Sequence, residues 1–275
     1  MHTELTPEQI QSYRDDGFVV IENFLDPAEL EEWRRCVDEA VAARHRRKTP
    51  EGRMEEGDSY YDKVFTQRLN LWVDHGGVKR LMLDEGLGRM AAELAGVDGI
   101  RIWHDQALIK EPWANPTAWH LDNPYWSFTS HDAISVWVAL DDATPHNGCL
   151  YFIPGSHKEA THDNVGIGEN MAGLFEAYPA WGQRQAAVGE MKAGSCSFHN
   201  GLLAHGAGAN MTPGRRRAMT CAYMPDGSTF NGQQNILPPD YFASLKEGDS
   251  LDNDEQNPLI YHKNTGHKSK EAVKA

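Results

Sequence analysis

Five short runs decide the fold class: IRIW at residues 100–103, ALIK at 107–110, ISVWVAL at 134–140, CLYFI at 149–153 and RAMTCAY at 217–223. Apolar, β-branched and aromatic residues dominate these runs, and turn-forming residues separate them, which is typical of short strands. A many-stranded second half behind a helical first half indicates a jelly roll buttressed by helices. The sequence therefore predicts a mainly β protein with flanking helices, built on a cupin-like double-stranded β-helix.

Helix-start signals occur in the first 100 residues. TPEQ at residues 6–9 and DPAE at residues 26–29 each place a capping residue before proline, with Gln or Glu at the third helical position. We expect a short helix after the first signal, a strand over residues 18–24, and a longer helix from the second signal to about Arg44. Helical spacing of apolar residues over 78–95 predicts one further helix.

The length of 275 residues suits a single domain, because β-rich proteins of this length commonly bury one core. We divide it into an N-terminal helical buttress (about 5–98), a jelly-roll core (about 99–226) and a C-terminal extension (about 227–275). The residues after 264 are polar and Lys-rich, which favours a loose tail.

Composition restricts the partners. The formal net charge of −14 repels phosphate backbones and anionic lipid surfaces, so we expect no nucleic acid and no membrane as partner. No apolar run approaches the roughly 18 residues of a transmembrane helix. The four cysteines form no Cys-x-x-Cys pair, and reduced thiols in a cytoplasmic protein are the default expectation.

A candidate metal site begins with His120 and Asp122. In a strand, residues i and i+2 point to the same face, so this pair can offer an imidazole and a carboxylate to one ion. His-x-acid triplets are weak signals, because 13 His and 40 acidic residues produce about two of them by chance. Residues 2–4 and 157–159 are such triplets. An aromatic segment at 125–128 follows the His120 pair and favours an active-site mouth.

The third ligand should come from a later strand, where His199 and His205 are the two candidates. We prefer His205, since Gly206 and Gly208 beside it allow close approach of the backbone. Two histidines and one carboxylate leave three adjacent positions open on Fe(II), which suits a bidentate 2-oxoacid and dioxygen.

An arginine triple, residues 215–217, follows a turn after His205. A guanidinium fork suits the distal carboxylate of 2-oxoglutarate. Strand alternation points Arg216 away from Arg215 and Arg217, for which a solvated basic stretch is the alternative interpretation.

Several motifs, taken in order, resemble those of the phytanoyl-CoA dioxygenase family. They are YRDDGFVV (13–20), WHLD (119–122), WVALDDA (137–143), NGCL (147–150), IPGSH (153–157) and HG (205–206) followed by Asn210. The resemblance extends from Leu5 through Tyr223. It implies a double-stranded β-helix that hydroxylates an unactivated C–H bond of a small organic molecule, while 2-oxoglutarate and O2 are converted to succinate and CO2.

The resemblance also implies roles for individual residues. His120, Asp122 and His205 are the implied Fe(II) ligands, and no further catalytic residue is needed. Arg216 lies where the family places its 2-oxoglutarate arginine, and Trp137 lies where a tryptophan lines the co-substrate pocket.

Other positions match the family less closely. Gln106 and Gln67 fall at or near two further co-substrate contacts of the family. The small hydroxyl residue that the family often carries two positions after the distal histidine is Ala207 here, so one hydrogen bond to 2-oxoglutarate is missing or replaced. Residues 154–157 are interpreted as a structural turn.

Two other classes of protein remain open. A cupin-like metal-dependent isomerase or hydrolase would use the same ligands without 2-oxoglutarate, and a non-catalytic metal-binding relative would carry a degraded ligand set. Arg216 and Trp137 disfavour the first class, and the intact ligand set disfavours the second. Consumption of 2-oxoglutarate separates the oxygenase from both.

The substrate is a small molecule whose identity the sequence does not specify. Residues 46–58, 124–131 and 162–181 are expected to build the mouth of the site. Aromatic residues in the last two segments favour an apolar or cyclic substrate, and ordinary loop packing explains them equally well. They are Tyr125, Trp126, Phe128, Phe175, Tyr178 and Trp181.

Overall fold

Two capping boxes begin the N-terminal helices, as the sequence predicts. In the computed structural model, which describes residues 1–44, 63–163 and 165–264, Thr6 and Asp26 each accept a hydrogen bond from the third helical backbone N–H, and that residue's side chain bonds back to the cap. The helices are α1 (Pro7–Asp16), α2 (Pro27–Ala43), α3 (Leu71–Asp74), α4 (Gly76–Met82), α5 (Glu85–Ala95), α6 (Leu174–Ala177) and α7 (Pro239–Ser244).

The single helix predicted over residues 78–95 is wrong in one respect, because the segment forms two helices, α4 and α5. The side chain of Asp84 accepts a hydrogen bond from the backbone N–H of Leu87 and so starts α5. Apolar periodicity continues across the break, since both helices bury apolar side chains in the same core cluster. Residues 46–58, expected at the mouth of the site, and the predicted tail after 264 lie outside the described residues.

Eleven strands are present in the described ranges, and they form two antiparallel sheets. The strands are β1 (Phe18–Ile21), β2 (Thr66–Leu69), β3 (Gly99–Lys110), β4 (Thr117–His120), β5 (Ile134–Ala139), β6 (Leu150–Phe152), β7 (Ala187–Gly189), β8 (Cys196–Asn200), β9 (His205–Ala207), β10 (Arg216–Pro225) and β11 (Leu259–His262). The large sheet has the order β1-β8-β5-β10-β3-β11, with β2 also paired to β3, and the small sheet has the order β4-β9-β6-β7. The predicted double-stranded β-helix with flanking helices is confirmed.

The runs at 100–103 and 107–110, predicted as separate, belong to one strand, β3. Continuous pairing with β10 carries β3 through the polar residues between the runs, with one bulge opposite the step from Ala222 to Tyr223. The strand predicted over residues 18–24 is shorter than expected and ends at Ile21.

The two faces of the large sheet have different partners, because successive side chains on a strand point to opposite faces. Val136 and Met219 lie on the face that packs with the apolar residues of α2 and α5. Trp137 and Ala218 lie on the other face and pack against Leu150 and other residues of the small sheet. Each fully buried aliphatic side chain contributes about 1.5–3 kcal/mol to the free energy of unfolding. The space between the two sheets is where the candidate site lies.

The residues after β10 return to the sheet. Arg101 on β3 forms ion pairs with Asp226 at 2.5 Å and with Asp254 at 2.6 Å, and Asn257 donates to the backbone carbonyl of Ile102. We propose that the C-terminal extension is part of a single domain, because these contacts join it to the core. No helix among the described residues combines the length and apolar character required to cross a bilayer.

Candidate active site

Two histidines lie side by side on neighbouring strands of the small sheet. β4 and β9 are neighbours, and His120 lies directly opposite His205 in their register. The ring centroids of the two side chains are 4.2 Å apart, and both side chains are buried. Strand pairing therefore brings together residues that are far apart in sequence.

Asp122 reaches the same point by a different route from the one predicted. The prediction placed it on the strand with His120, but β4 ends at His120 and Asp122 has helical backbone angles, φ −80° and ψ −52°. The backbone N–H groups of Asp122 and Asn123 both donate to the carbonyl of Gly201, which fixes this turn. Asp122 Oδ1 then lies 3.5 Å from His120 Nε2 and 3.7 Å from His205 Nε2.

The donor set of this cluster fits a divalent iron. One ligand atom of each of His120, Asp122 and His205 lies within 4.8 Å of the others. His120 Nδ1 lies 2.8 Å from the carbonyl of Ala118, and His205 Nδ1 lies 2.9 Å from the carbonyl of Leu203. A carbonyl only accepts, so both Nδ1 atoms carry hydrogen and both Nε2 lone pairs are free to bind a metal.

Electrostatics favour the protonation states that metal binding needs. Burial, together with the neighbouring His120, lowers the pKa of His205 to about 3, so its imidazole is neutral at pH 7. Burial alone would raise the pKa of Asp122, but His205, His120 and His199 outweigh it and hold that pKa well below its usual range. At this point the cluster offers a neutral His205 imidazole and the ionised Asp122 carboxylate.

The second oxygen of Asp122 has its own partners. Ser135 Oγ on β5 lies 3.3 Å from Asp122 Oδ2, and His199 Nε2 on β8 lies 3.4 Å from the same atom. Ser135 and His199 are directly opposite each other in the pairing of β5 with β8. His199, the rival candidate for third ligand, therefore lies beside the carboxylate rather than in the three-residue cluster. These two contacts leave Oδ1 facing the histidine nitrogens.

Replacement of Ser135 with alanine should weaken Fe(II) binding by about tenfold, because groups that orient a ligand carboxylate commonly change metal affinity by that amount or more. Anaerobic competition with a chelator measures it. Ser127→Ala is the matched control, since the Ser127 hydroxyl is also buried but donates to the carbonyl of Gln234. Equal Fe(II) affinity of Ser135→Ala and Ser127→Ala would contradict this role.

Arg216 is a buried cation on the face of the large sheet that meets the small sheet. Its side chain is 2% exposed, donates to the carbonyls of Leu108 and Gly148, and lies over the Trp137 ring at 5.0 Å. Its Nε has no hydrogen-bond partner among the described residues. Burial lowers the pKa of Arg216 to about 10, so it stays charged at pH 7. A guanidinium held this way can donate hydrogen bonds to a carboxylate, and 2-oxoglutarate carries such a group.

The neighbouring arginines point the other way, as strand alternation predicts. Arg217 forms hydrogen bonds with Asp141 and an ion pair with Asp38, while Arg215 lies 3.5 Å from Asp38 and is half exposed. The interpretation as a solvated stretch therefore holds for Arg215, whereas Arg217 is largely buried in an ion-pair network.

The two glutamines of the predicted co-substrate pocket lie together. Gln67 on β2 donates to Gln106 on β3, and both side chains are half-buried. Gln106 is opposite Thr220 in register, and Thr220 is in turn opposite Trp137, so these side chains share the face that carries Arg216. Ala207 is buried and supplies no hydroxyl there.

Most of the aromatic residues expected at the mouth pack in the core instead. Phe128 and Trp181 are buried, and Tyr178 stacks on Trp181 with centroids 3.8 Å apart. Tyr125 and Phe175 are half-buried. Ordinary loop packing therefore explains the greater part of this aromatic content. The turn at 154–157 is structural as expected, because the Ser156 hydroxyl accepts from the backbone N–H of Ala204.

Two side chains of this region were not singled out from the sequence: Ser135, which contacts Asp122, and Lys110, which lies opposite Arg216 in the pairing of β3 with β10. Ser135 lies two residues before Trp137 on β5, so strand alternation was the signal that could have found it. Lys110 offered a weaker signal, a lysine at the end of an apolar strand.

Solved structures define the class of protein. The carbocyclase SnoK from nogalamycin biosynthesis, a non-haem α-ketoglutarate-dependent enzyme, superposes with a TM-score of 0.76 at 25% identity over 93% of this chain and 96% of that chain. The epimerase SnoN, solved with Fe3+, α-ketoglutarate and nogalamycin RO, has a TM-score of 0.71 at 26% identity, covering 92% and 97%. The fold and the histidine–carboxylate cluster thus define a non-haem iron, 2-oxoglutarate-dependent oxygenase.

Sequence comparisons identify the family. The profile of the phytanoyl-CoA dioxygenase (PhyH) family matches residues 13–218. A phytanoyl-CoA dioxygenase of Arabidopsis thaliana is 25% identical over 247 residues, covering 78% of this chain and 87% of that protein. A methylphosphonate hydroxylase of Gimesia maris is 26% identical over 234 residues, covering 81% and 82%. The chain belongs to the phytanoyl-CoA dioxygenase family.

Proposed function

We propose that this oxygenase hydroxylates an unactivated C–H bond of a small organic molecule, with release of succinate and CO2. Its Fe(II) ligands in this proposal are His120, Asp122 and His205, and Arg216 receives the distal carboxylate of 2-oxoglutarate. The observation that carries the proposal is the buried guanidinium of Arg216, which lies in the same barrel as the ligand cluster and whose Nε has no partner in the described part of the chain. A cupin-like isomerase or hydrolase has no use for such a group.

The residues around the cluster hold and orient the cofactors. Iron with 2-oxoglutarate and O2 supplies the oxidising chemistry when bound. The carbonyls of Ala118 and Leu203 fix the two imidazole rings, and Ser135 and His199 fix the carboxylate. Because each ligand is held by a second contact, the cluster is arranged for metal binding before the metal arrives.

The sheet face that carries Arg216 and Trp137, here called the co-substrate wall, is arranged to bind an anion and exclude water. Trp137 covers the face of the Arg216 guanidinium, while Leu108 and Ala218 line the same sheet face with apolar groups. An ion pair is stronger in such a low-dielectric setting than at the surface. Gln106 and Gln67 are proposed to contribute polar contacts at the metal-proximal side of this wall.

Relatives of this chain carry out several oxidations, so the reaction outcome needs a direct test. A substrate screen should monitor Fe(II)-dependent conversion of 2-oxoglutarate to succinate and then the mass of the organic product. Hydroxylation adds one oxygen atom from O2, a gain of about 16 Da that becomes about 18 Da when the reaction is run under 18O2. A product lighter by two hydrogens indicates ring closure or desaturation, and an isomer of unchanged mass indicates epimerisation. Either of the last two outcomes would replace hydroxylation in the proposal.

A further inference from the structure

A second buried cation lies next to Arg216. Lys110 ends β3 and is directly opposite Arg216 in the pairing of β3 with β10, so both side chains leave the same face of the large sheet. Lys110 is 0% exposed. Its Nζ donates to the carbonyls of Asn115 at 2.6 Å and Val64 at 3.2 Å, and it lies 5.8 Å from the centroid of the Phe65 ring.

Among the residues that the structure describes, the two cations have no acidic partner. Across residues 1–44, 63–163 and 165–264, no carboxylate forms an ion pair with Lys110 or Arg216, and only backbone carbonyls accept from them. Burial and the charge of Arg216 lower the pKa of Lys110 to about 7. Two like charges side by side in a dry core destabilise each other unless an anion joins them.

Lys110 is also in contact with the group that holds Arg216. Gly148 accepts a hydrogen bond from Arg216 Nη2 at 3.1 Å through its carbonyl. The stem of Lys110 lies against the same glycine so closely that a Cβ at position 148 would come within 2.5 Å of Lys110 Cδ. The Lys110 stem, Gly148 and the Arg216 guanidinium therefore form one packed unit.

We propose that Lys110 is a second cation of the co-substrate pocket, a positioning residue that holds Arg216 through Gly148 and adds its positive charge to the recognition of the distal carboxylate. This inference rests on the proposed function, because it takes 2-oxoglutarate as the anion. The alternative is that Lys110 only clamps the segments at Val64 and Asn115.

The test compares two co-substrates in two proteins. 2-Oxoglutarate and 2-oxopentanoate share the metal-chelating 2-oxoacid group, but 2-oxopentanoate lacks the distal carboxylate. Binding of each to the Fe(II)-loaded protein is titrated without oxygen in the wild type and in Lys110→Met, which keeps the stem and removes the charge. Arg215→Met is the matched control, because it removes a cation that is exposed and points away from the Arg216 face of the large sheet.

The preference for 2-oxoglutarate over 2-oxopentanoate should fall about tenfold in Lys110→Met and stay unchanged in Arg215→Met. A clamp without an electrostatic role would weaken both ligands equally and leave the preference as it was, which overturns the inference. If Lys110→Met does not fold, Arg216→Met serves instead. A residual preference for 2-oxoglutarate supports the charge of Lys110, and complete loss of the preference contradicts it.

Failure of the proposed function has a different signature. Wild-type protein that binds neither co-substrate in a metal-dependent way overturns both the function and the inference. Wild-type protein that prefers 2-oxoglutarate, with the same preference in Lys110→Met, overturns only the role of Lys110.

Discussion

Replacement of His205 with alanine should lower the Fe(II) affinity by more than about 100-fold, since loss of a ligand costs more than loss of a group that merely orients one. His205 supplies one of the two free Nε2 lone pairs, and His120 and Asp122 alone cannot complete a facial set of three. Anaerobic chelator competition gives the affinity, and 2-oxoglutarate turnover should disappear with it.

His146→Ala is the matched control for His205→Ala, because His146 is exposed and lies on a turn outside the cluster. It should bind Fe(II) as the wild type does. Retention of wild-type Fe(II) affinity by His205→Ala would show that the metal lies elsewhere, with His199 as the first residue to examine.

Replacement of Arg216 with methionine should raise the dissociation constant of 2-oxoglutarate by about 100-fold and leave the Fe(II) affinity unchanged. Removal of one partner of a buried charged pair costs about 2–5 kcal/mol, and 100-fold corresponds to about 2.7 kcal/mol. Methionine keeps an apolar stem against Trp137, so the fold should tolerate the change. Titration of the Fe(II)-loaded protein with 2-oxoglutarate measures the effect.

Arg217→Met is the control for Arg216→Met. It shows whether 2-oxoglutarate affinity depends on the cation at position 216 or on the loss of any arginine from this strand. Arg217 is on the same strand but pairs with Asp141 and Asp38 on the opposite face. It should lose stability, because two carboxylates each lose one of their arginine partners, while its 2-oxoglutarate affinity stays near the wild-type value. An Arg216→Met protein with wild-type 2-oxoglutarate affinity would contradict the assigned pocket.

Local signals in the sequence were sufficient for much of the fold. Capping boxes at Thr6 and Asp26 depend only on residues within one turn, so their prediction needed no tertiary information. The split of residues 78–95 was missed because apolar spacing carries on across the break. Continuous pairing of β3 was missed because it depends on β10, which lies more than 100 residues later.

The candidate site was predicted in its composition better than in its geometry. The approach of His120 and His205 follows from strand pairing in the small sheet, which residue spacing alone does not reveal. Asp122 reaches them through a helical turn held by Gly201 rather than along a strand. Ser135 and Lys110 contact residues that are distant in sequence, and such contacts appear only once the strand register is known.

The most direct test of the central claim is an anaerobic titration of the wild-type apoprotein with Fe(II) and then 2-oxoglutarate, followed by visible absorption. We expect a weak charge-transfer band that needs both components and saturates at one equivalent of iron per chain. Tight Fe(II) binding with no band on addition of 2-oxoglutarate would contradict the proposed co-substrate site and favour a cupin-like metal enzyme.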